Sequence, residues 1–189
     1  MTRSAISIHT IDLATIGERE GRGLLAFSNR MRSELQPDDP PVPLENAMRA
    51  WRNIPNTVTL HVWLASNPDE AKVVGQARLT VAKTKENAHL AQAVIQVLPE
   101  WRGRGVAREL LEMLTSKARE EDRRLLMCET SGFAPSGSAF LQRLGGVKGA
   151  EAHKSQVRLA EVDRTLLRRW CERAGQRAAG FEVGLWDGA

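Results

Sequence analysis

The spacing of hydrophobic residues changes several times along the chain, and each change marks a predicted element. Alternation of apolar and polar positions predicts a strand, whereas apolar residues three and four positions apart predict a helix. This pattern predicts strands at residues 5–11, 57–65, 72–82, 89–98, 124–130, 154–160 and 181–186. It predicts helices at residues 15–35, 44–51, 106–119, 138–144 and 164–178. The order favours an α+β (α/β) fold in which helices flank a mixed, mainly antiparallel central sheet.

Glycines and one apolar run add structural detail to three of these elements. Gly17, Gly21 and Gly23 are expected to weaken or break the first helix, because glycine is a poor helix former. Gly75 is expected to mark a bulge in the third strand. Residues 125–128 are all apolar, which is typical of a central strand covered on both faces.

The later helices have recognisable start and stop signals. Ser136 is a favourable N-cap for the helix at 138–144, and Gly145-Gly146 is expected to end that helix. Asp163 is a favourable N-cap for the last helix.

Length and composition indicate an ordinary globular protein. The chain has 189 residues, which predicts one domain or one domain with an appendage. Its hydrophobic fraction of 42% and charged fraction of 26% are typical of soluble folded proteins. A net charge of +4 suits a small polyanionic ligand and is too mild to indicate nucleic-acid binding.

The cysteines and the hydropathy pattern bear on location. Cys128 and Cys171 form neither a metal-ligand spacing nor a disulfide framework, so we expect no metal and a reducing cytoplasm. No apolar run at the N-terminus predicts a signal peptide, and no stretch approaches the ~20 apolar residues that span a bilayer.

The stretch with the clearest chemistry is Glu100-Trp101-Arg102-Gly103-Arg104-Gly105-Val106-Ala107-Arg108, between a predicted strand and a predicted helix. Glycine permits a tight turn and a close approach of the backbone to a ligand. The first N–H groups of a helix have no partner within the helix and attract anions. Three arginines surround the same turn. The sequence therefore predicts a phosphate or pyrophosphate site here.

Other Gly-rich and basic motifs fit this stretch less well. A P-loop would end in Gly-Lys-Ser/Thr, and a dinucleotide fingerprint would read Gly-x-Gly-x-x-Gly at the opening of a βαβ unit. A disordered basic tail would repeat the motif in low-complexity sequence, whereas here it occurs once between well-patterned apolar segments.

The spacing of Arg102, Gly105 and Ala107 resembles the acyl-CoA pyrophosphate loop of the GNAT N-acetyltransferase family. The preceding Val97-Leu98-Pro99-Glu100-Trp101 is similar to the strand exit of that family, and Leu110-Leu111-x-x-Leu114 is similar to its helix. The resemblance extends from the first strand to about Leu159. It implies a GNAT acyl-CoA-binding domain at residues 1–160, followed by a linker-like helix and closing strand at 161–189.

The resemblance also implies positions for the cofactor. In GNAT proteins the strand before the turn parts from its neighbour, and its free backbone groups pair with the pantetheine arm of coenzyme A. Carried over to this chain, that strand end is Ile95, Gln96 and Val97. The pyrophosphate would lie on the turn, which assigns cofactor binding to Arg102, Gly103, Arg104, Gly105, Val106, Ala107 and Arg108.

The catalytic groups follow the family pattern only in part. Many GNAT members use a tyrosine on the short helix as the acid that protonates the leaving thiolate. The matching position here is Leu141, and the chain contains no tyrosine. Glu129, after the predicted central strand, is the candidate general base. His89 is a second candidate, and Cys128 is expected to be a buried structural thiol.

Two functions follow from the resemblance. The first is transfer of an acetyl (acyl) group from acetyl-CoA to an amine of a small-molecule acceptor, with Glu129 or water as the base. The alternative is a catalytically degenerate GNAT domain that binds acyl-CoA as a structural or regulatory module, which the missing tyrosine supports. A third hypothesis, which does not depend on the resemblance, is a basic nucleic-acid-binding domain. The chain lacks the stripe of basic residues interleaved with aromatic residues that such a domain would need.

Acceptor and assembly are less defined by the sequence. The acceptor-binding segments of the family correspond to residues 15–56, in which the proline-rich loop 36–43 is either part of an acceptor pocket or a solvated linker. The C-terminal helix and strand resemble the join between the halves of tandem GNAT proteins. The closing strand is therefore expected to pair with its own sheet, with another protomer in a homodimer, or with a second GNAT domain.

Overall fold

The five strands of the central sheet lie side by side in the order in which they occur along the chain. The computed structural model describes residues 6–153, 155, 157–182, 184 and 185. The strands are β1 (Ser7–Ile11), β2 (Val58–Asn67), β3 (Lys72–Ala82), β4 (Leu90–Val97) and β5 (Leu125–Cys128). Neighbours from β1 to β4 are antiparallel, whereas β5 runs parallel to β4. The predicted mixed, mainly antiparallel sheet is confirmed.

The helices are α1 (Glu18–Leu35), α2 (Leu44–Arg52), α3 (Val106–Glu120), α4 (Pro135–Arg143) and α5 (Arg164–Arg177). Short 3₁₀ helices occur at Pro99–Trp101 and Leu159–Glu161. The chain forms two compact units, Met1–Gly146 and Val147–Ala189. The first holds the sheet and α1 to α4, and the second holds α5. The predicted domain boundary at residue 160 falls inside the second unit and stays a prediction.

The core of the first unit lies between the sheet and the helices α1 and α3. Six leucines of the sheet, of α1, of α3 and of the loop after β4 have almost no exposed surface: Leu24, Leu64, Leu79, Leu98, Leu110 and Leu114. Burial of each such side chain contributes about 1.5–3 kcal/mol to folding. Because Leu98 and Leu110 flank the glycine-rich turn, that turn is attached to the core on both sides.

The first helix is continuous, so the predicted break at its glycines is wrong. Gly17 is the N-cap residue, and the helix runs through Gly21 and Gly23 to Leu35. A Cβ atom at Gly21 would lie 2.7 Å from Met48 Sδ in α2. Gly21 therefore permits close packing of two helices, and that packing offsets its poor helix propensity.

Among the described residues the strand β5 lies at the edge of the five-stranded sheet, so the predicted central position is wrong. Leu125 and Met127 are 53% and 44% exposed, whereas Leu126 packs against the core. The apolar residues 125–128 alone do not predict whether β5 has a neighbouring strand on one side or on both sides.

The ends of α4 differ in how well they were predicted. The helix begins at Pro135 after Ala134, so the predicted N-cap at Ser136 is wrong. Its predicted end is confirmed, because Gly145 adopts φ +78° and donates its N–H to the Gln142 carbonyl (3.0 Å). Gly146 donates to the Leu141 carbonyl (2.9 Å), which completes a Schellman motif.

In the described residues of the second unit, α5 is the main regular element, preceded by the short 3₁₀ helix Leu159–Glu161. Asp163 caps α5 as predicted, because its carboxylate accepts the N–H groups of Thr165 and Leu166. The predicted strand at 154–160 is wrong for residues 155 and 157–160, which lie outside any strand, while 154 and 156 lie outside the described residues. In the predicted closing strand, residues 181, 182, 184 and 185 are not in a strand, and 183 and 186 lie outside the described residues. Alternation alone was insufficient, because a strand also needs a neighbour to pair with.

Among the described residues, no helix combines the length and the apolar character needed to cross a membrane.

Candidate functional site

The glycine-rich turn presents a series of backbone N–H groups at the start of α3. Gly103 and Gly105 adopt φ +73° and +94°, in the left-handed region that favours glycine. Within the described part of the chain, the N–H groups of residues 103–107 donate to no acceptor. Alternating left-handed residues of this kind direct successive N–H groups toward one point and bind anions. The helix dipole of α3 adds to the same attraction.

Packing of α3 against β3 fixes the position of this turn. A Cβ atom at Gly75 would lie 3.0 Å from Val106 Cγ1 and 3.1 Å from Leu110 Cδ1, so only glycine lets the first turn of α3 approach so closely. The strand register shifts beside Gly75, which confirms the predicted bulge. The Leu98 N–H donates to the Val74 carbonyl (3.0 Å) and ties the turn to the same strand.

The strands β4 and β5 pair over only part of β4. Their ladder runs from Leu90 opposite Leu125 to Ala93 opposite Cys128 and continues no further among the described residues. Pairing between β3 and β4 continues to Val97. A fork therefore opens beyond Ala93, with the backbone of residues 94–97 along one side.

The predicted pantetheine residues lie along this fork. Ile95 and Gln96 are half-buried, and Val97 is buried. The Val97 carbonyl accepts a hydrogen bond from Arg102 Nε (3.0 Å), so that oxygen is already occupied. A role of these residues in cofactor binding stays a prediction.

The three arginines of the turn have different surroundings. Arg102 donates from Nη1 and Nη2 to the two carboxylate oxygens of Glu34 in α1, at 2.7 and 2.6 Å. These hydrogen bonds hold the pKa of the Glu34 carboxyl below its usual range and raise the pKa of the Arg102 guanidinium. Arg104 lies over the ring of Trp101, with Cζ 4.9 Å from the centroid. Arg104 and Arg108 are exposed, so they are the cations of this turn that face solvent.

The candidate catalytic residues lie at different distances from the turn. Glu129 directly follows β5 and is exposed, which places it at the fork. Leu141 is half-buried in α4. His89 precedes β4 at the opposite end from the turn, about 25 Å away along an eight-residue strand. The structure does not bring His89 to the fork.

Cys128 occupies the last paired position of β5. It is exposed, so the predicted buried thiol is wrong. Neighbouring protein atoms nevertheless desolvate the thiol and raise its pKa. Within the described ranges, no group of three His, Cys, Asp or Glu side chains is arranged to hold a metal ion.

Sequence reasoning missed Glu34, which is separated from Arg102 by 68 positions. Its only sequence signal is a carboxylate in the last turn of an amphipathic helix, where many surface glutamates occur.

The model of the acetyltransferase (GNAT) family matches residues 28–145, more than half of the chain. The chain belongs to the GNAT acetyltransferase family. The matched segment begins within α1 and ends at Gly145, so it contains the fork, the turn and α4 of the GNAT domain.

Solved structures share the fold of this GNAT domain. Aminoglycoside N-acetyltransferase AAC(6')-Iy in complex with CoA is 19% identical, with a TM-score of 0.55 over 82% of this chain and 96% of that one. Ribosomal-protein-alanine N-acetyltransferase from Brucella melitensis biovar Abortus 2308 is 16% identical, with a TM-score of 0.59 over 82% and 100%. A tandem GNAT protein from the clavulanic acid biosynthesis pathway is 21% identical, with a TM-score of 0.60 over 81% of this chain and 45% of that one. A comparison with curated proteins found no match.

Proposed function

We propose that this GNAT domain transfers an acetyl group from acetyl-CoA to the amine of a small-molecule acceptor. The observation that carries the proposal is the turn with two left-handed glycines beside the fork between β4 and β5. The CoA complex of a structure with the same fold supports the choice of cofactor.

In this proposal the pyrophosphate lies on the backbone N–H groups of residues 103–107, which donate to no other acceptor among the described residues. Arg104 and Arg108 supply positive charge from solvent-exposed positions. The pantetheine arm lies in the fork along Ile95, Gln96 and Val97 and pairs with backbone groups of β4 that face away from β3. The thioester then reaches the part of the fork beside Ala93 and Glu129.

The chemistry needs a neutral amine, a donor for the oxyanion and a proton for the leaving thiolate. The amine nitrogen attacks the thioester carbonyl carbon, the C–S bond breaks, and an amide and CoA thiol result. A backbone N–H of the fork would stabilise the oxyanion. Glu129 would accept the one proton that the amine nitrogen loses, and the leaving thiolate would gain a proton from solvent.

Catalytic degeneracy is the second candidate, and a specific observation favours it. The position of the family's acidic tyrosine holds Leu141, and the sequence contains no tyrosine. In that case the domain binds acyl-CoA as a structural or regulatory module.

The acceptor, the partner and the location are also part of the proposal. Neighbours with this fold act on aminoglycosides, which supports a small-molecule amine. Likeness to one half of a tandem GNAT protein supports a second GNAT domain as a partner, and a homodimer is the other arrangement. We propose a cytoplasmic location.

The test is release of CoA thiol from acetyl-CoA with a panel of aminoglycosides, polyamines and peptides. Removal of a general base typically lowers the rate about 10²–10⁴-fold, so Glu129→Gln should lose activity by that factor. Glu112→Gln, an exposed glutamate on α3, is the matched control and should retain activity. Binding of acetyl-CoA without turnover for any acceptor would favour the degenerate module.

A further inference from the structure

Arg102 makes three hydrogen bonds that join separate parts of the first unit. Its guanidinium contacts both carboxylate oxygens of Glu34 in the last turn of α1 and the carbonyl of Val97 at the end of β4. The side chains of Arg102 and Glu34 are only 27% and 18% exposed. Paired Arg and carboxylate groups in this bidentate geometry are stronger and more specific than single ion pairs.

These contacts fix the position of the chain segment that connects β4 to α3. Arg102 itself lies after the 3₁₀ helix Pro99–Trp101, and its N–H donates to the Pro99 carbonyl (3.2 Å). The segment is therefore held at Val97 by the side chain and at Pro99 by the backbone. The anion-binding N–H groups follow directly at Gly103.

Two other polar residues near the end of α1, Asn29 and Arg32, hold the loop at residues 36–43. Arg32 Nη2 donates to Asp39 (2.8 Å). Asn29 Nδ2 donates to the Val42 carbonyl (3.1 Å), and the Val42 N–H donates to Asn29 Oδ1 (2.9 Å). Residues in the last two turns of α1 thus contact both this loop and the glycine-rich turn at residues 102–108, which is called the cofactor turn below.

We infer that Glu34 is a positioning residue, which holds Arg102 in place so that the N–H groups of residues 103–107 are preorganised for an anion. Its carboxylate also neutralises Arg102, so anion binding depends on the backbone and on Arg104 and Arg108. The pair links the cofactor turn to the loop 36–43 through α1. The identity of the anion as CoA pyrophosphate rests on the proposed function, whereas the positioning itself does not.

The direction in which Glu34→Gln changes CoA affinity distinguishes a positioning role of Glu34 from a purely electrostatic one. Removal of a negative charge near an anion site should tighten CoA binding if only Coulomb attraction matters. Loss of preorganisation should weaken binding, because the turn must then be ordered when the ligand binds. Glu34→Gln changes the charge with little change in shape.

The experiment is isothermal titration of CoA into the native chain, Glu34→Gln and Glu18→Gln. Glu18 pairs with Arg22 in the same helix, where both side chains are about two-thirds exposed, so it is a matched control. We expect about tenfold weaker binding for Glu34→Gln, which corresponds to about 1.4 kcal/mol in binding free energy. Glu18→Gln should bind as the native chain does. Unchanged or tighter binding by Glu34→Gln would overturn the inference.

Amide hydrogen exchange without CoA tests the positioning independently of the proposed function. The hydrogen-bonded amides of Arg102 and Arg108, on either side of the anion site, and of Val42 in the loop 36–43 should exchange faster in Glu34→Gln than in the native chain or Glu18→Gln. If the native chain binds no CoA, the proposed function fails, and equal exchange rates in all three proteins would then overturn the positioning role as well. Thermal unfolding of each variant confirms that the whole domain remains folded.

Discussion

Ala93 in β4 and Cys128 in β5 form the last residue pair between these two parallel strands. Beyond this pair the backbone of β4 continues for four residues that pair only with β3. The Cys128 thiol therefore lies where the proposed pantetheine channel begins, and it can report on whether a ligand occupies the fork.

Acetyl-CoA should protect Cys128 from alkylation. At a CoA concentration ten times Kd, the labelling rate should fall about tenfold, because only the free protein reacts. Cys171 in α5 is exposed as well and should react at an unchanged rate. The rate at Cys128 should rise with pH, since desolvation raises its pKa above the usual 9.0 and the thiolate is the reactive form. Equal labelling with and without bound CoA would show that the ligand lies outside the fork.

Removal of the exposed cations of the turn should weaken CoA binding. Arg104→Gln and Arg108→Gln should each raise Kd by about fivefold, which corresponds to about 1 kcal/mol for an exposed contact to a phosphate. Arg119→Gln, near the other end of α3 and about 20 Å away, should leave Kd unchanged. Titration calorimetry at low salt measures all three, because salt screens exposed charges. If Arg119→Gln raised Kd as much as the other two variants, the net positive charge of the protein, rather than a contact at the turn, would account for the attraction of CoA.

A side chain at Gly75 should destabilise the domain. Gly75→Ala places a Cβ atom against Val106 and Leu110 at 3.0 and 3.1 Å, and both side chains are buried. Overpacking of this kind costs about 1–3 kcal/mol in the free energy of unfolding. Gly23→Ala is the matched control within α1, where the nearest atom would lie 3.9 Å away. It should raise stability by about 0.5–1 kcal/mol, so denaturant unfolding of the two variants should shift in opposite directions.

The contribution of Glu34 to stability should depend on pH. Its hydrogen bonds with Arg102 lower the pKa of the folded-state carboxyl from the usual 4.5. A lowered carboxyl pKa means that the stabilisation is fully present above pH 4.5 and is lost as the pH falls through the folded-state value. The difference in unfolding free energy between the native chain and Glu34→Gln should therefore be largest near neutral pH and shrink in acid. A difference that stays constant between pH 7 and pH 3 would contradict this assignment.

The elements of the first unit were predictable because their signals are local. The spacing of apolar residues in β2, β3 and α3 is visible within each segment. The turn has its glycines and arginines in one short stretch of sequence. The edge position of β5 depends instead on whether a further segment of the chain pairs with it on the side away from β4. An apolar run such as residues 125–128 is compatible with either a central or an edge strand.

The contacts that organise the site could not be predicted, because they join distant parts of the chain. The sequence predicts Arg102 as one of three phosphate-binding cations, but its guanidinium faces Glu34 in α1. The alternation at 154–160 carried no information on a pairing partner, and the residues described there form no strand. Local patterns predicted where the turn lies, and tertiary contacts determine which of its side chains face solvent.

Isothermal titration of acetyl-CoA into the native chain, beside Gly105→Trp and Gly17→Trp, tests the central claim most directly. Gly105 has φ +94° at the start of α3, so any side chain there strains the turn and fills the anion site. Gly17 precedes α1 with open space around it and serves as the control. We expect micromolar binding by the native chain and by Gly17→Trp, and no binding by Gly105→Trp. Failure of the native chain to bind, or equal binding by Gly105→Trp, would contradict the assignment of this turn as the cofactor site.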